Sequence, residues 1–261
     1  MNSLNIQRYG TGHKKLVAIH GLGSASSAWK LLKSALHADY ELITLDLPGH
    51  GDAKIVANKK MTPNRLADIV TENLKLNGIE EFHLIGNSLG GWVALEMAAK
   101  YPESVRSLTA LAPAGLWLKL KNRRIFTLDF SRVLARIFHR FARILLRFKI
   151  IKKISFGLVS PRWESFSLET CVDAAIAMGT SRGYKALWFG TFGVRFDKTI
   201  LKRIPVTIVF GDSDWTLPAI NCQEQSLAPD HCDWVVLPKT GHAPMWDSLE
   251  SVLSLLYKTT N

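Results

Sequence analysis

A serine framed by glycines is the first feature of this sequence that points to chemistry. Residues 86–91 read Gly-Asn-Ser-Leu-Gly-Gly and stand between an apolar run and a helical pattern. This order predicts a strand, a sharp turn and a helix, and glycines at both sides of Ser88 would relieve the crowding of such a turn. We interpret Ser88 as a candidate nucleophile. A glycine-rich helix start or a phosphate cradle is the alternative.

A serine hydroxyl is a poor nucleophile until a neighbouring base removes its proton, and eight histidines compete for that role. His242 is the candidate, because it follows a predicted strand and would lie at the same edge of the sheet as Ser88. His231 precedes that strand, so we expect it at the opposite edge. A turn or helix-cap histidine is the alternative for His242. The histidines without a comparable placement are His13, His37, His83 and His139.

The base in turn needs a carboxylate that orients its ring and stabilises the imidazolium. Residues 210–218 read Phe-Gly-Asp-Ser-Asp-Trp-Thr-Leu-Pro and offer two. Asp214 is the preferred acid, while Asp212 stays open because geometry rather than sequence separates them. The unused aspartate would cap the following helix.

A developing oxyanion needs two backbone N–H donors. Leu89 would supply one, because it follows Ser88 directly at a helix N-terminus. Leu22 would supply the other from residues 20–23, His-Gly-Leu-Gly, which follow the first apolar strand. The two glycines let that loop turn its amides inward, and we interpret His20 as a structural hydrogen-bonding residue.

The elements that must position these groups alternate along the chain. Apolar runs predict strands at 16–20, 41–46, 82–86, 105–111, 206–210 and 234–237. Periodic segments predict helices at 27–36, 63–76 and 89–100, the second with Thr62 as its cap. Alternating strands and helices predict an α/β fold with a mostly parallel, doubly wound sheet. In such sheets, ligands bind outside the carboxyl ends of the strands, where Ser88, Asp214 and His242 are expected.

Composition excludes several classes of protein. The chain has 261 residues, 47% of them apolar and 21% charged, so it can bury a core and is neither disordered nor a disulfide framework. It has three cysteines and no signal-peptide pattern at its start, from which we expect a reduced, cytoplasmic protein. No apolar run reaches the length of a membrane span.

The positive charge is concentrated in one segment. Thirteen of the 33 Lys and Arg residues and two of the 22 Asp and Glu residues lie between 116 and 165, which leaves twenty of each elsewhere. The chain is therefore a neutral protein with a basic insert, and the insert marks the one plausible subdomain boundary.

Residues 132–148 of this insert predict a two-faced helix, with five arginines on one side and eight apolar residues on the other. One interpretation is a lid helix whose apolar face covers the edge of the sheet while its arginines stay in water. The other is a helix in peripheral contact with an anionic membrane. Nucleic acid is disfavoured, since no groove-reading motif accompanies the charge. Aromatic residues expected to line an apolar pocket beneath the lid are Trp117, Trp163, Trp188, Phe189 and Phe192.

The motifs together resemble the α/β-hydrolase fold family. His-Gly-x-Gly at 20–23, Asp-Leu-Pro-Gly-His-Gly at 46–51 and Gly-x-Ser-x-Gly at 86–90 carry the resemblance, as does the order Ser88, Asp214, His242. The resemblance implies a hydrolase core at 1–112 and 201–261, a helical cap at 113–200, and no metal or cofactor. Serine at the nucleophile position argues against the dehalogenase and epoxide-hydrolase branches.

The reaction expected from this resemblance is hydrolysis of a small-molecule ester or thioester with an apolar acyl group through an acyl-serine intermediate, in the class of carboxylic ester hydrolases. Cleavage of a carbon–carbon bond or of an acylglycerol by the same triad is the alternative. A binding or sensing module with low turnover is the alternative from another class.

Overall fold

A mostly parallel sheet forms the centre of the protein. The computed structural model describes residues 3–36, 38–54, 60–118 and 125–261, and for 125–131 the backbone alone. Its strands are β1 (Asn5–Tyr9), β2 (Lys14–Ile19), β3 (Tyr40–Asp46), β4 (Phe82–Asn87), β5 (Val105–Leu111), β6 (Val206–Gly211) and β7 (Asp233–Leu237). Their spatial order is β1-β3-β2-β4-β5-β6-β7, and only the pair β1 and β3 among these described strands is antiparallel. The predicted fold class is confirmed.

Helices connect and cover the strands. Those that pack on the sheet or follow it are α1 (Lys30–Ala35), α2 (Pro63–Leu76), α3 (Leu89–Lys100), α9 (Ala219–Cys222), α10 (Pro244–Asp247) and α11 (Leu249–Thr260). Those between β5 and β6 are α4 (Ile125–Phe138), α5 (Ala142–Leu145), α6 (Lys149–Phe156), α7 (Leu168–Thr180) and α8 (Tyr184–Gly190). We call the segment from α4 to α8 the cap. The exact division into a core and a cap stays a prediction.

The strands bury both faces of the sheet, because successive side chains point to opposite sides. Val17 and Ile19 of β2 pack in the core under α2 and α3, whereas Leu16 and Ala18 pack in the core under α1 and α11. Helix α2 begins as predicted, with Pro63 in its first turn and the Arg65 amide donating to Thr62 Oγ1 at 3.3 Å. The doubly wound architecture follows from this two-sided burial.

The topology opens a crevice at the carboxyl ends of β2 and β4. The two strands are neighbours in the sheet. Strand β3, which follows β2 in the chain, lies on the far side of β2, and β5, which follows β4, lies on the far side of β4. The connections therefore leave in opposite directions and form a site between them. Residues 20–23 follow β2 and Ser88 follows β4, so both predicted elements of the site lie at this crevice.

Strand β1 was not predicted. It pairs antiparallel with β3, Asn5 opposite Asp46 and Tyr9 opposite Leu42. Its side chains are only partly buried, because an edge strand packs on one neighbour alone. Short polar edge strands lack the continuous apolar run by which the central strands were recognised.

The single helix predicted at 132–148 is wrong. Helix α4 ends at Phe138, a 3₁₀ turn spans His139–Phe141, and α5 and α6 follow as separate helices. Tertiary packing overrides the local period here: Ala142 and Leu146 turn into a small core with Phe156 and Phe166, which a straight helix would not reach. Some residues named in the sequence analysis lie outside the described residues. They are His37 and four basic residues of the insert, Lys119, Lys121, Arg123 and Arg124.

The burial of side chains in residues 132–148 also differs from what the lid interpretation predicts. Val133, Ile137, Phe141, Ile144 and Phe148 are exposed rather than laid against the sheet, so they do not form the predicted cover. Arg132, expected in water, is 9% exposed. Its guanidinium carbon lies 5.0 Å from the centre of the Tyr184 ring, and its Nη2 donates to Ser181 O at 3.4 Å, so stacking and a helix-end carbonyl hold it inside.

Candidate active site

Ser88 occupies a strained turn between β4 and α3. Its φ is 56° and its ψ −117°, a backbone conformation that L-residues rarely adopt and that is typical of a serine presented at the top of a strand. The Ser88 amide donates to Leu111 O at 2.9 Å, which fixes the turn to β5. A Cβ built on Gly86 would lie 2.4 Å from Gly90 O, and one on Gly90 would lie 2.1 Å from Ile19 O. Both glycines are therefore required by close backbone approach.

His242 and Asp214 form a direct pair. His242 Nδ1 lies 2.9 Å from Asp214 Oδ2, and both residues are buried. Oδ1 of Asp214 accepts from the amides of Thr216 and Leu217, each at 2.8 Å. Burial alone would raise the pKa of Asp214, but the charge and hydrogen bond of His242 and the two amides lower it below its usual value. An ionised Asp214 holds the proton of His242 on Nδ1 and leaves Nε2 as the basic atom.

The alternatives considered for these two positions lie elsewhere. Asp212 is exposed; its Oδ1 accepts from the Ser213 hydroxyl at 2.8 Å and makes no contact with His242. His231 Nε2 lies 3.1 Å from Ile204 O, before β6 begins, so it sits at the opposite edge of the sheet.

Asn87 joins the loop of His242 to the serine turn. Its Nδ2 donates to His242 O at 2.9 Å and to Leu111 O at 3.2 Å, and the residue is buried. Because Asn87 precedes Ser88 directly, this side chain holds the backbone of the base beside the candidate nucleophile. Sequence reasoning missed this residue. The only available signal was its place inside the glycine-framed turn.

Two buried, neutral histidines position the loop after β2. The Leu47 amide donates to His20 Nε2 at 3.0 Å, so His20 Nδ1 carries the proton and donates to Gly21 O at 2.7 Å. The Gly23 amide donates to His50 Nε2 at 3.1 Å. Burial lowers the pKa of His20, and burial together with the neighbouring His20 lowers the pKa of His50 to about 3. The structural role predicted for His20 agrees with these bonds; His50 was missed.

This loop lies against the serine turn. A Cβ built on Gly21 would be 3.1 Å from Ser88 Cβ, and Leu22 is the next residue along this loop. Leu89 is the first residue of α3, directly after Ser88. The two predicted N–H donors therefore come from segments that meet at Ser88, on either side of the crevice.

A carboxylate and a cap segment support the loop of His242. Asp247 Oδ2 accepts from the Gly241 amide at 2.7 Å, and its Oδ1 accepts from the Ser160 hydroxyl. The His242 amide itself donates to Val159 O at 2.7 Å. Burial raises the pKa of Asp247. Val159, between α6 and α7, thus contacts the candidate base directly, and Ser160 supports it through Asp247. Neither contact was predicted from the sequence.

The aromatic residues expected to line one pocket are distributed over three places. Trp117 packs edge-on against Trp92 in the main core, with ring centres 5.1 Å apart. Trp163 packs at the small core of the cap. Trp188 and Phe189 both pack on Phe192. The predicted single pocket is wrong, because the segment at 116–118 joins the main core instead of the cap.

Over the described ranges, no group of His, Cys, Asp and Glu residues converges in a way that could hold a metal ion. Within the same ranges, no helix combines the length and the apolar character needed to cross a bilayer.

The site combines four things that acyl transfer requires. A serine lies on a strained turn, an imidazole loop is tied beside it, a buried carboxylate orients the imidazole, and two backbone segments meet at the serine. Such a set is suited to nucleophilic attack on a carbonyl with transfer of one proton.

The similarity of this chain to known proteins identifies its family. A family model described as the alpha/beta hydrolase fold matches residues 15–249. The acetyltransferase component of the acetoin cleaving system of Cupriavidus necator is 33% identical over 96% of this chain, which spans 64% of that protein's length. The monoacylglycerol lipase ABHD6 of mouse is 28% identical over 94% of this chain and 75% of its own.

A solved structure gives the same fold. The meta-cleavage product hydrolase of Pseudomonas fluorescens aligns with a TM-score of 0.73 over 99% of this chain and 95% of its own, at 18% identity. This likeness concerns the fold alone. The reactions named for these relatives differ from one another, so they do not single out a substrate.

Proposed function

The chain belongs to the α/β-hydrolase fold family, and from that premise we propose that it is a hydrolase that cleaves carboxylic esters or thioesters with an apolar acyl group. The 2.9 Å bond between His242 Nδ1 and Asp214 Oδ2, on a loop that Asn87 ties to the serine turn, carries this proposal. A chain that only bound a ligand would have no need of a buried carboxylate that orients a base beside a serine.

The proposed reaction has two halves. Ser88 Oγ attacks the carbonyl carbon while His242 Nε2 takes its proton, and the amides of Leu22 and Leu89 bind the oxyanion. The bond to the leaving group breaks, and His242 returns the proton to the departing alcohol or thiol. Water then attacks the acyl-Ser88 ester with His242 as base. The carboxylic acid leaves and the proton returns to Ser88.

The environment of the loop after β2 favours an apolar acyl part. A Cβ built on Gly23 would lie 2.5 Å from Met178 Sδ and 3.2 Å from Tyr184 Cε2. Helices α7 and α8 of the cap therefore bring a thioether and an aromatic ring against the loop that would hold the oxyanion. Apolar walls beside a few polar groups are typical of small-molecule sites.

A fluorophosphonate probe tests the proposal, since it phosphonylates an activated serine and leaves an ordinary one untouched. We expect labelling of the wild type and none of Ser88→Ala, with both variants equally folded by circular dichroism. Absence of labelling in the folded wild type would contradict a serine hydrolase and favour the binding module.

A panel of substrates then identifies the bond. We expect turnover of p-nitrophenyl esters to increase from acetate to longer chains. Turnover of a monoacylglycerol would assign the acylglycerol lipase alternative, and turnover of a vinylogous diketone without turnover of any ester would assign carbon–carbon cleavage instead.

A further inference from the structure

The cap carries a block of positive charge with no acidic residue inside it. Between 130 and 163 the sequence has no Asp or Glu. None of the cations in this block forms an ion pair with a carboxylate whose side chain the structure describes. They are Arg132, Arg136, Arg140, Arg143, Arg147, Lys149, Lys152, Lys153 and Arg162. Uncompensated charge of one sign favours a partner of the opposite sign.

The same segment exposes large apolar side chains. Ile150, Ile154 and Leu158 recur every four residues along one side of α6 and its end, and they are 64%, 69% and 66% exposed. Lys149 and Lys153 lie next to them in sequence. Val133, Ile137, Phe138, Phe141, Ile144 and Phe148 add further exposed apolar surface between α4 and α6. Exposed apolar surface bordered by charge marks an interaction site.

A cavity of about 580 Å³ opens within this segment, between α4 and the end of α7. Its lining includes Arg132, Arg136, Arg140 and Arg182, together with the exposed Ile137. Arg132 is nine-tenths buried, and its Nε has no hydrogen-bond partner in the part of the chain that the structure describes. Several guanidinium groups around one cavity are suited to a phosphate group, whose oxygens accept paired N–H bonds.

We propose that the cap docks on a lipid bilayer that contains anionic phospholipids. The exposed side chains of α6 and its neighbours enter the acyl boundary, and the arginine-lined cavity takes a phosphate-bearing headgroup. Charge selects this occupant: a second copy of the chain would bring the same nine cations against the first and be repelled. A nucleic acid would leave the apolar side chains in water. Basic groups beside apolar ones are the signature of a protein lying in a membrane interface.

Vesicle flotation at low salt tests the proposal in a Ser88→Ala background, so that the result does not depend on any hydrolysis. We expect binding to vesicles of phosphatidylcholine with phosphatidylglycerol and little binding to phosphatidylcholine alone. Added salt should weaken binding, since it screens the charges. Absence of binding to the anionic vesicles, or equal binding to both kinds, overturns the proposal.

Two double variants separate the two contributions. Arg136→Gln with Arg140→Gln should weaken binding roughly thirtyfold, since each basic residue near an anionic surface contributes several-fold. Ile150→Ser with Ile154→Ser should weaken it roughly tenfold or more, because less apolar surface is buried. The matched controls are Lys202→Gln with Lys258→Gln, which removes the same charge elsewhere, and Leu76→Ser with Ile220→Ser, two exposed positions outside the cap.

The controls should bind as the unaltered cap does. Equal loss in the lysine controls would mean nonspecific adsorption of a basic protein and would overturn the proposal. So would a dimer, seen by sedimentation without vesicles, that the α6 variant dissociates, because the surface would then belong to a second copy. A third outcome would also overturn docking on a bilayer. If inorganic phosphate at constant ionic strength released the protein from vesicles, and the α6 variant bound vesicles as well as the unaltered cap, the cavity would be a site for a free anion.

Discussion

The edge of the sheet and the cap use charge in opposite ways. At the edge, Asp214 bonds to His242 and two amides, and Asp46 accepts from Asn5 and the amides of Ser26 and Asp52. Between residues 130 and 163 of the cap, nine cations form no ion pair with a described carboxylate and lie near exposed apolar side chains. In the first region each of these carboxylates is paired with neighbouring donors, and this pairing fixes the geometry. The second is incomplete alone, which is how a surface for a partner differs from a site for chemistry.

The largest expected effect concerns the serine. Ser88→Ala should lower kcat for ester hydrolysis by a factor of about 10⁴ or more, because the covalent step has no other nucleophile. Its thermal unfolding should stay close to that of the wild type. Substitutions on the exposed surface of the cap, such as Ile150→Ser, should leave soluble-ester turnover within a few-fold. A variant at one of these exposed positions that is as inactive as Ser88→Ala would contradict the division between the two regions.

The next effect distinguishes the two aspartates. Asp214→Asn should lower kcat by a factor of about 10⁴, since it removes the carboxylate that fixes the tautomer of His242. Asp212→Asn is the matched control, two residues away and exposed, and should change kcat no more than a few-fold. Steady-state kinetics on one chromogenic ester measures both. If Asp212→Asn proved the more damaging of the two, the assignment of the acid would be wrong.

A smaller effect belongs to Asn87, which we interpret as a positioning residue. Asn87→Ala removes the donor to His242 O and Leu111 O and should lower the free energy of unfolding by about 1–3 kcal/mol. Displacement of the base should lower kcat roughly ten- to hundredfold with KM little changed. Asn77→Ala, which also removes a side-chain bond to a backbone carbonyl, should change stability alone. Unaltered kcat in Asn87→Ala would reduce this residue to a structural one.

Acid should weaken the sheet edge through Asp46. Burial would raise the pKa of Asp46, but its bonds to Asn5, Ser26 and Asp52 lower it in the folded state. Its ionised form therefore adds stability above the unfolded pKa, and this contribution is lost as the pH falls through the folded value. Asp46→Asn should lower the free energy of unfolding by about 1–3 kcal/mol at neutral pH, measured with urea. The difference from the wild type should shrink as the pH falls below the ordinary pKa of an aspartate and through the lower folded value. A difference that does not change with pH would contradict the ionised bonds.

The smallest effect sharpens the contrast in packing. Ile150→Ser should change the free energy of unfolding by about 0.5 kcal/mol or less, because the side chain is already in water. Leu84→Ala on β4 is the buried reference and should cost about 2–5 kcal/mol. Urea unfolding of both variants is sufficient. Comparable losses would mean that Ile150 is packed and that the cap surface is not free.

Local patterns were enough to predict the parts of the molecule that local chemistry determines. The turn around Ser88 has its own glycine signature, and the central strands are long apolar runs, so both were predicted from the sequence. Asp214 was preferred, but only the 2.9 Å contact with His242 separates it from Asp212. The bonds of Asn87 and Asp247 join segments far apart in the chain, and no periodicity encodes them.

The cap shows where periodicity misleads. A helical period over 132–148 is real, but a period does not say whether a chain continues straight. Burial of Ala142 and Leu146 bends it into three pieces. Arg132 belongs to the polar stripe by sequence and yet lies inside, because Tyr184 from a distant helix offers it a ring face.

The hydrogen bond from the His242 amide to Val159 O has a consequence for protein engineering. Exchanging caps between related enzymes assumes that the insert can be replaced without changing the rest of the protein. In this molecule the insert supplies the acceptor for the amide of His242, the candidate base, and the hydroxyl of Ser160 for Asp247. If a grafted cap lacked a carbonyl at the position of Val159, the loop of His242 would lose this acceptor. The imidazole would then be displaced even though every residue of the scaffold was kept.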